Sequence, residues 1–164
     1  MTKRVIVVSV CAIVVLWAAT IAMAADNLSG TWKINVAKSK YSPGPAPKSG
    51  SVKIEMTGDT MKIVQEGVNA EGKPTRNEYT YKFDGKDYPT HPMLDGKPDP
   101  NVPDTISAKK IDDFTYETTN KLKGKVLTTT RIVVSKDGKS RTNTQTGKDS
   151  QGRTVNNVIA YDKQ

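Results

Sequence analysis

His91 is the one histidine of this 164-residue chain, and it stands between Asp87 and Asp95. Histidine beside a carboxylate is the raw material of acid–base catalysis. A hydrolase needs in addition an aligned serine or water nucleophile, and no Gly-x-Ser-x-Gly elbow occurs. A histidine-based metal centre fails for want of a second histidine or a cysteine nearby, since the one cysteine is Cys11. Asp95, Asp99, Asn101 and Asp104 could offer oxygen ligands to calcium. Against the EF-hand register, however, Lys97 falls at the third position and no glutamate at the twelfth. The expectation is a chain with no catalytic chemistry, no metal and no cofactor.

Residues suited to binding are better organised. Tyr79, Tyr81 and Phe83 share one face of a segment, and Phe114 and Tyr116 share a face of another. If both faces turn inward they form an aromatic wall for a flat or apolar small molecule, or simply fill a core. Trp32 carries the same two readings. Arg141, Asn143 and Gln145 alternate with Ser140, Thr142 and Thr144, so neither face of that segment is apolar. Either this is an exposed edge, or an inward polar face needs partners. Arg131 or Arg141 pairing with an anionic ligand would supply one. The candidate binding set is Trp32, Tyr79, Tyr81, Phe83, Phe114, Tyr116, Arg131 and Arg141.

The elements that must position these residues are strands. All nine prolines fall between Pro43 and Pro103, in a cluster at Pro43, Pro45 and Pro47 and another from Pro89 to Pro103, with Pro74 between. Proline cannot donate to a central ladder, so the clusters mark loops and edges. A polar-Gly-basic triplet recurs at Glu71–Lys73, Asp84–Lys86, Asp95–Lys97, Lys123–Lys125, Asp137–Lys139 and Gln151–Arg153, the composition of tight hairpin turns. Between turns, alternating apolar and polar residues predict strands over 30–36, 51–57, 60–66, 77–83, 105–110, 113–120, 125–135, 139–146 and 154–162. Trp32, Ile34 and Val36 set one such inward face, and Val52, Ile54 and Met56 another. The fold class is all-β, an antiparallel up-and-down meander. Closure into a barrel removes the exposed edges, and a two-sheet sandwich is the alternative.

Residues 1–24 read as an export signal. Lys3 and Arg4 precede an apolar run from Val5 to Ile21, and Ala22-Met23-Ala24 supplies the small residues for cleavage. One domain, residues 25–164, remains, expected in the periplasm or secreted, with no membrane anchor once the signal is removed. It has no thiol, so packing and strand pairing must hold it together. The formal net charge of the whole chain is +8, spread without a block of like charges. That favours solubility over nucleic-acid binding.

Leu28-Ser29-Gly30-Thr31-Trp32-Lys33-Ile34 resembles the opening of calycin barrels. Lipocalins begin with Gly-x-Trp, and intracellular fatty-acid-binding proteins with Gly-Thr-Trp-Lys. The close, Ala160-Tyr161-Asp162-Lys163, resembles the Tyr-Glu-Lys ending of the latter group. Gly30 to Pro47 is similar to small exported bacterial proteins described as lipocalin-like. The resemblance implies a barrel whose Trp32 plugs one end. Two departures bear on function. Tyr41–Pro47 occupies the place of the fatty-acid binders' two helices and cannot be helical. Ile159-Ala160-Tyr161 replaces their carboxylate-gripping Arg-x-Tyr, so that site is not carried over.

These readings lead to an exported lipocalin-like protein holding a small amphipathic or hydrophobic molecule in its interior. The alternative is an envelope protein-interaction or inhibitor module acting through the proline-rich segment 88–103, read as a long loop.

Overall fold

The computed structural model describes residues 27–164; the expected export segment lies outside the described residues. The strands are β1 (Gly30–Ile34), β2 (Ser49–Thr57), β3 (Thr60–Val68), β4 (Pro74–Lys82), β5 (Tyr88–Leu94), β6 (Lys97–Pro98), β7 (Thr105–Lys110), β8 (Thr115–Leu122), β9 (Lys125–Val134), β10 (Ser140–Lys148) and β11 (Thr154–Lys163). One short 3-10 turn, Val36–Lys38, follows β1.

Local connections dictate most of the pairing, since each strand returns antiparallel beside the one before it. β4 meets β5 in this way from Thr75↔Leu94 to Tyr79↔Thr90, and one long-range pairing closes the ring, as first and last strands meet at Trp32↔Lys163 and Ile34↔Tyr161. The resulting circuit β1-β2-β3-β4-β5-β7-β8-β9-β10-β11 is a closed antiparallel barrel, with the two-residue β6 appended to β5. A continuous ring rules out the sandwich.

The sequence periods place the side chains. Val52 and Ile54, Met61 and Ile63, Tyr79 and Tyr81, Ile106 and Ala108, and Ile132 and Val134 are buried at alternate positions. Outward positions carry charge instead. Arg76 bridges Glu66 and Glu78, Lys62 pairs with Glu78 at 3.1 Å, and Lys82 with Asp59 at 3.0 Å. Pairs this exposed are worth about 0–1 kcal/mol each. A charged outer face is the inverse of a lipid-facing barrel's apolar band.

One end is sealed. Leu28, Trp32, Met61, Ala108, Tyr116 and Val134 pack there, with Phe83 and Tyr88 against them. The Trp32 indole N–H donates to the Leu28 carbonyl at 2.7 Å, leaving no polar atom of the plug unpaired. The triplets behave as turns. Asp95-Gly96 and Lys123-Gly124 both have positive φ at two successive residues, the two-residue hairpin geometry. Asp137 and Asp149 accept backbone N–H groups two residues on.

Two strands lie where a loop was expected. Segment 88–103 contains β5 and β6, despite Pro89, Pro92 and Pro98. The reason is one-sided pairing. β5 pairs with β4 along five residues but with β7 only at Tyr88↔Ile106 and Pro89↔Thr105. Between that point and the short β6 pairing at Met93↔Pro98 and Leu94↔Lys97, its other side meets the irregular segment 99–104, a sheet margin that tolerates residues lacking an N–H. Only about half of the expected loop is irregular, the rest being β5 and β6.

Candidate functional site

Above the plug the barrel is hollow. A cavity of about 440 Å3 opens toward the end opposite Trp32. Its walls come from nearly every strand of the ring. Val52, Ile54, Ile63, Ile132 and Ile159 form an apolar part, and Gln65, Asn77, Thr118, Asn120, Thr130, Asn143 and Gln145 a polar part. Pro47, Pro92, Met93, Val102 and Pro103 are also in the lining. Gly50 and Gly67, opposite each other on β2 and β3, also border it. There the Ile34 side chain occupies the space a Cβ on Gly50 would need.

Arg141 lies in this interior. It projects inward from β10, is only 4% exposed, and stacks between two aromatic rings. Its guanidinium carbon is 4.3 Å from the Tyr161 ring centroid and 5.2 Å from that of Trp32. Burial pushes the guanidinium below its ordinary value, opposed by Tyr161, Tyr79 and Tyr81. Those neighbours are phenols and not carboxylates. Burial likewise raises Tyr161 and Tyr79, so both stay protonated and neither is a counter-ion. Arginine does not lose its proton in proteins, so a positive charge is held here by cation–π contacts and a hydrogen bond to the Tyr161 hydroxyl, with no carboxylate beside it. Arg141 Nε has no hydrogen-bond partner.

Two residues further along β10, Asn143 Oδ1 is also buried without a partner. Its cross-strand neighbours explain why: Ile132 on one side and Ile159 on the other. Nearer the mouth the polar wall is satisfied. Gln145 donates to Thr128 Oγ1 at 3.2 Å, Asn157 to Gln145 at 2.9 Å, and Gln65 to the Tyr79 hydroxyl at 2.9 Å.

The candidate residues separate into four places. Tyr79, Tyr81 and Arg141 line the cavity. Trp32, fully buried, is the plug beneath Arg141. Phe83 and Tyr116 touch at 5.2 Å between ring centroids, but in the sealed end. The expected aromatic wall is thus two tyrosines from β4, while its other half packs as core. Phe114 precedes β8 in the turn from β7 and does not line the cavity. Arg131 is exposed on the outer face, because β9 buries Thr128, Thr130, Ile132 and Val134 and turns its odd-numbered residues outward. A lumenal role for Arg131 is therefore replaced by Arg141 alone.

Sequence reading missed Gln65, Asn77 and Asn120 as lining residues. Their inward parity was readable, since Gln65 follows Met61 and Ile63 at alternate positions of β3. His91 belongs to β5, not to a loop, and is exposed. Asp87 is held by Lys121 at 2.7 Å and Asp95 occupies a turn, so the three do not assemble. Asp104 accepts the Lys123 N–H and Asp99 the Asn101 N–H, duties of loop geometry. No group of three metal-ligating side chains converges among the described residues.

No family model matches the sequence, and no curated protein matches it. Among solved structures the chain is similar to a redesigned beta barrel, mFAP1, bound to DFHBI. The identity is 16% and the TM-score 0.43, over 83% of this chain and 96% of that one.

Proposed function

We propose that this protein is an exported, non-catalytic carrier of a small amphipathic molecule, held in the barrel interior with its polar end toward Arg141. The observation that carries the reading is a cavity of about 440 Å3 whose wall holds a buried guanidinium with no ion pair and an unbonded Nε. A volume of that order suits a small organic ligand. A buried charge without a partner is costly, whereas a charge awaiting one is a binding site. The apolar part of the wall accepts a hydrocarbon body and the polar part tolerates water around it. Export is supported by the signal-like residues 1–24 alone.

Trp32 supplies the test, since it is the sole tryptophan once residues 1–24 are removed. Titrating the purified mature protein with decanoate should shift or quench its emission saturably, because an anion at Arg141 changes the field on the indole. Natively purified protein weighed without denaturant should also carry a small-molecule mass that denaturation releases. Unchanged emission together with a bare polypeptide mass would overturn the proposal.

A further inference from the structure

The two orphaned atoms of the interior have opposite hydrogen-bonding sense. Arg141 Nε is a donor and Asn143 Oδ1 an acceptor, and both are buried. They belong to inward positions i and i+2 of one strand, so their Cα atoms are about 6.6 Å apart. The sheet gives neither a partner. Arg141 is flanked across the ladder by Val134 and Tyr161, and Asn143 by Ile132 and Ile159. The missing partners must therefore enter from the cavity that both residues line.

Resting on the proposed carrier function, we infer that the ligand is an acid with an O–H or N–H donor close to its carboxylate. A medium-chain hydroxy acid or an N-acyl amino acid has this head group. The carboxylate accepts from Arg141, and the neighbouring donor serves Asn143 Oδ1. The tail then runs toward the mouth past Ile132, Ile159 and Val52. Between Arg141 and Gln145 the wall extends about 13 Å along the strand, at about 3.3 Å per residue, room for a medium alkyl chain. Other charged groups bordering the cavity, Glu66, Arg76 and Asp99, include Glu66 and Arg76 already paired to each other. They leave Arg141 as the cation without an acid partner. A plain fatty acid would satisfy Arg141 but strand Asn143 under a hydrocarbon. A group stranded in that way loses its hydration and gains nothing, which is the basis for discrimination.

The experiment measures dissociation constants of decanol, decanoate and β-hydroxydecanoate for the mature wild type, Asn143→Leu and Asn143→Asp, by calorimetry. In the wild type, decanoate should bind about tenfold or more tighter than decanol, and β-hydroxydecanoate about tenfold tighter again. Asn143→Leu should erase the hydroxyl preference by raising decanoate affinity about tenfold, since no polar group is then stranded under its chain, while the hydroxy acid gains nothing. Asn143→Asp sets a carboxylate beside Arg141, so both acids should lose affinity while decanol does not. Circular dichroism on each variant confirms the fold before titration. If the wild type binds decanoate and the hydroxy acid equally, the paired head-group site is overturned and the carrier function stands. If decanol matches the acids, Arg141 is not the anion site. Absence of binding by all three compounds overturns the carrier function itself.

Discussion

The guanidinium of Arg141 lies over the indole of Trp32, 5.2 Å from the ring centroid, and so joins the sealed end of the barrel to its hollow half. Lys163 Nζ approaches the same ring at 5.1 Å. The indole thus has cations near it from β10 and β11. Each such contact is worth about 0.5–2 kcal/mol, depending on how far the cation is desolvated. Only Arg141 is buried, and it gains no ion pair in exchange for its lost hydration.

Arg141→Met is therefore expected to leave the empty barrel as stable as wild type, or up to about 3 kcal/mol more stable. Replacing buried charge by apolar volume is commonly neutral or favourable. Urea unfolding of the ligand-free protein checks this. A loss beyond about 3 kcal/mol would show that the cation–π stack outweighs desolvation, making Arg141 a structural residue first. The same variant should lose decanoate binding.

Gly147 should be irreplaceable where other glycines are not. It has φ of 137°, and a Cβ there would press into the backbone of Leu127 and come within 2.9 Å of Thr128 Cα. Gly138, also at positive φ, faces open space. Gly138→Ala should cost about 1 kcal/mol. Gly147→Ala should cost about 3 kcal/mol or more, because backbone has to move as well. Equal costs in thermal unfolding would show that φ alone, and not the closeness of β9, sets the requirement.

Stability should fall on acidification, and the turns determine the sign. Asp84, Asp104, Asp112 and Asp137 are each held below the ordinary aspartate value of 3.8. Backbone N–H donors are the main cause at Asp84, Asp104 and Asp112, and the Ser135 hydroxyl at Asp137. A depressed folded value means the unfolded chain takes up protons first. The stabilisation is present at neutral pH and is lost as pH drops through the aspartate range. Melting temperature should decline below about pH 5, and less steeply in Asp104→Asn, which cannot titrate. A slope identical in that variant would remove Asp104 from the account.

The β5–β7 seam should be the first part of the wall to open. Hydrogen exchange followed by mass spectrometry should find the Thr90 N–H, bonded to Asp104 O, and the Asp99 N–H, bonded to Pro92 O, less protected than Ile54, Ile63 or Ile132. Each of the latter has a strand partner on both sides. Uniform protection would mean that the irregular segment is as firm as the sheet.

Much of this architecture was legible because strand alternation and turn chemistry are local. Val52-x-Ile54 and Met61-x-Ile63 announce their faces without knowledge of their neighbours, and the glycine triplets mark where the chain turns back. β5 was hidden by its prolines, whose exclusion from strands holds only where both sides are paired. The division of aromatics between plug and cavity was not legible either. Tyr81 and Phe83 have the same parity on adjoining positions, and only their height along the barrel separates them. Arg131 and Arg141 were equivalent as residue types. Parity on β9 could have told them apart, since Ile132 and Val134 claim the inward face. The orphaned Asn143 Oδ1 depends on its isoleucine neighbours across two strands, a relation that needs the register.

Trp32↔Lys163 also sets an order of events for the nascent chain. The residue that seats the plug sits near the start of the domain, and the strand that clamps it is made last. No shorter length of chain completes the ring, so native closure waits for β11, Thr154–Lys163. Such long-range closure is slow compared with hairpin formation. A chain that lacks β11 can form its hairpins but cannot seat the plug between its neighbours.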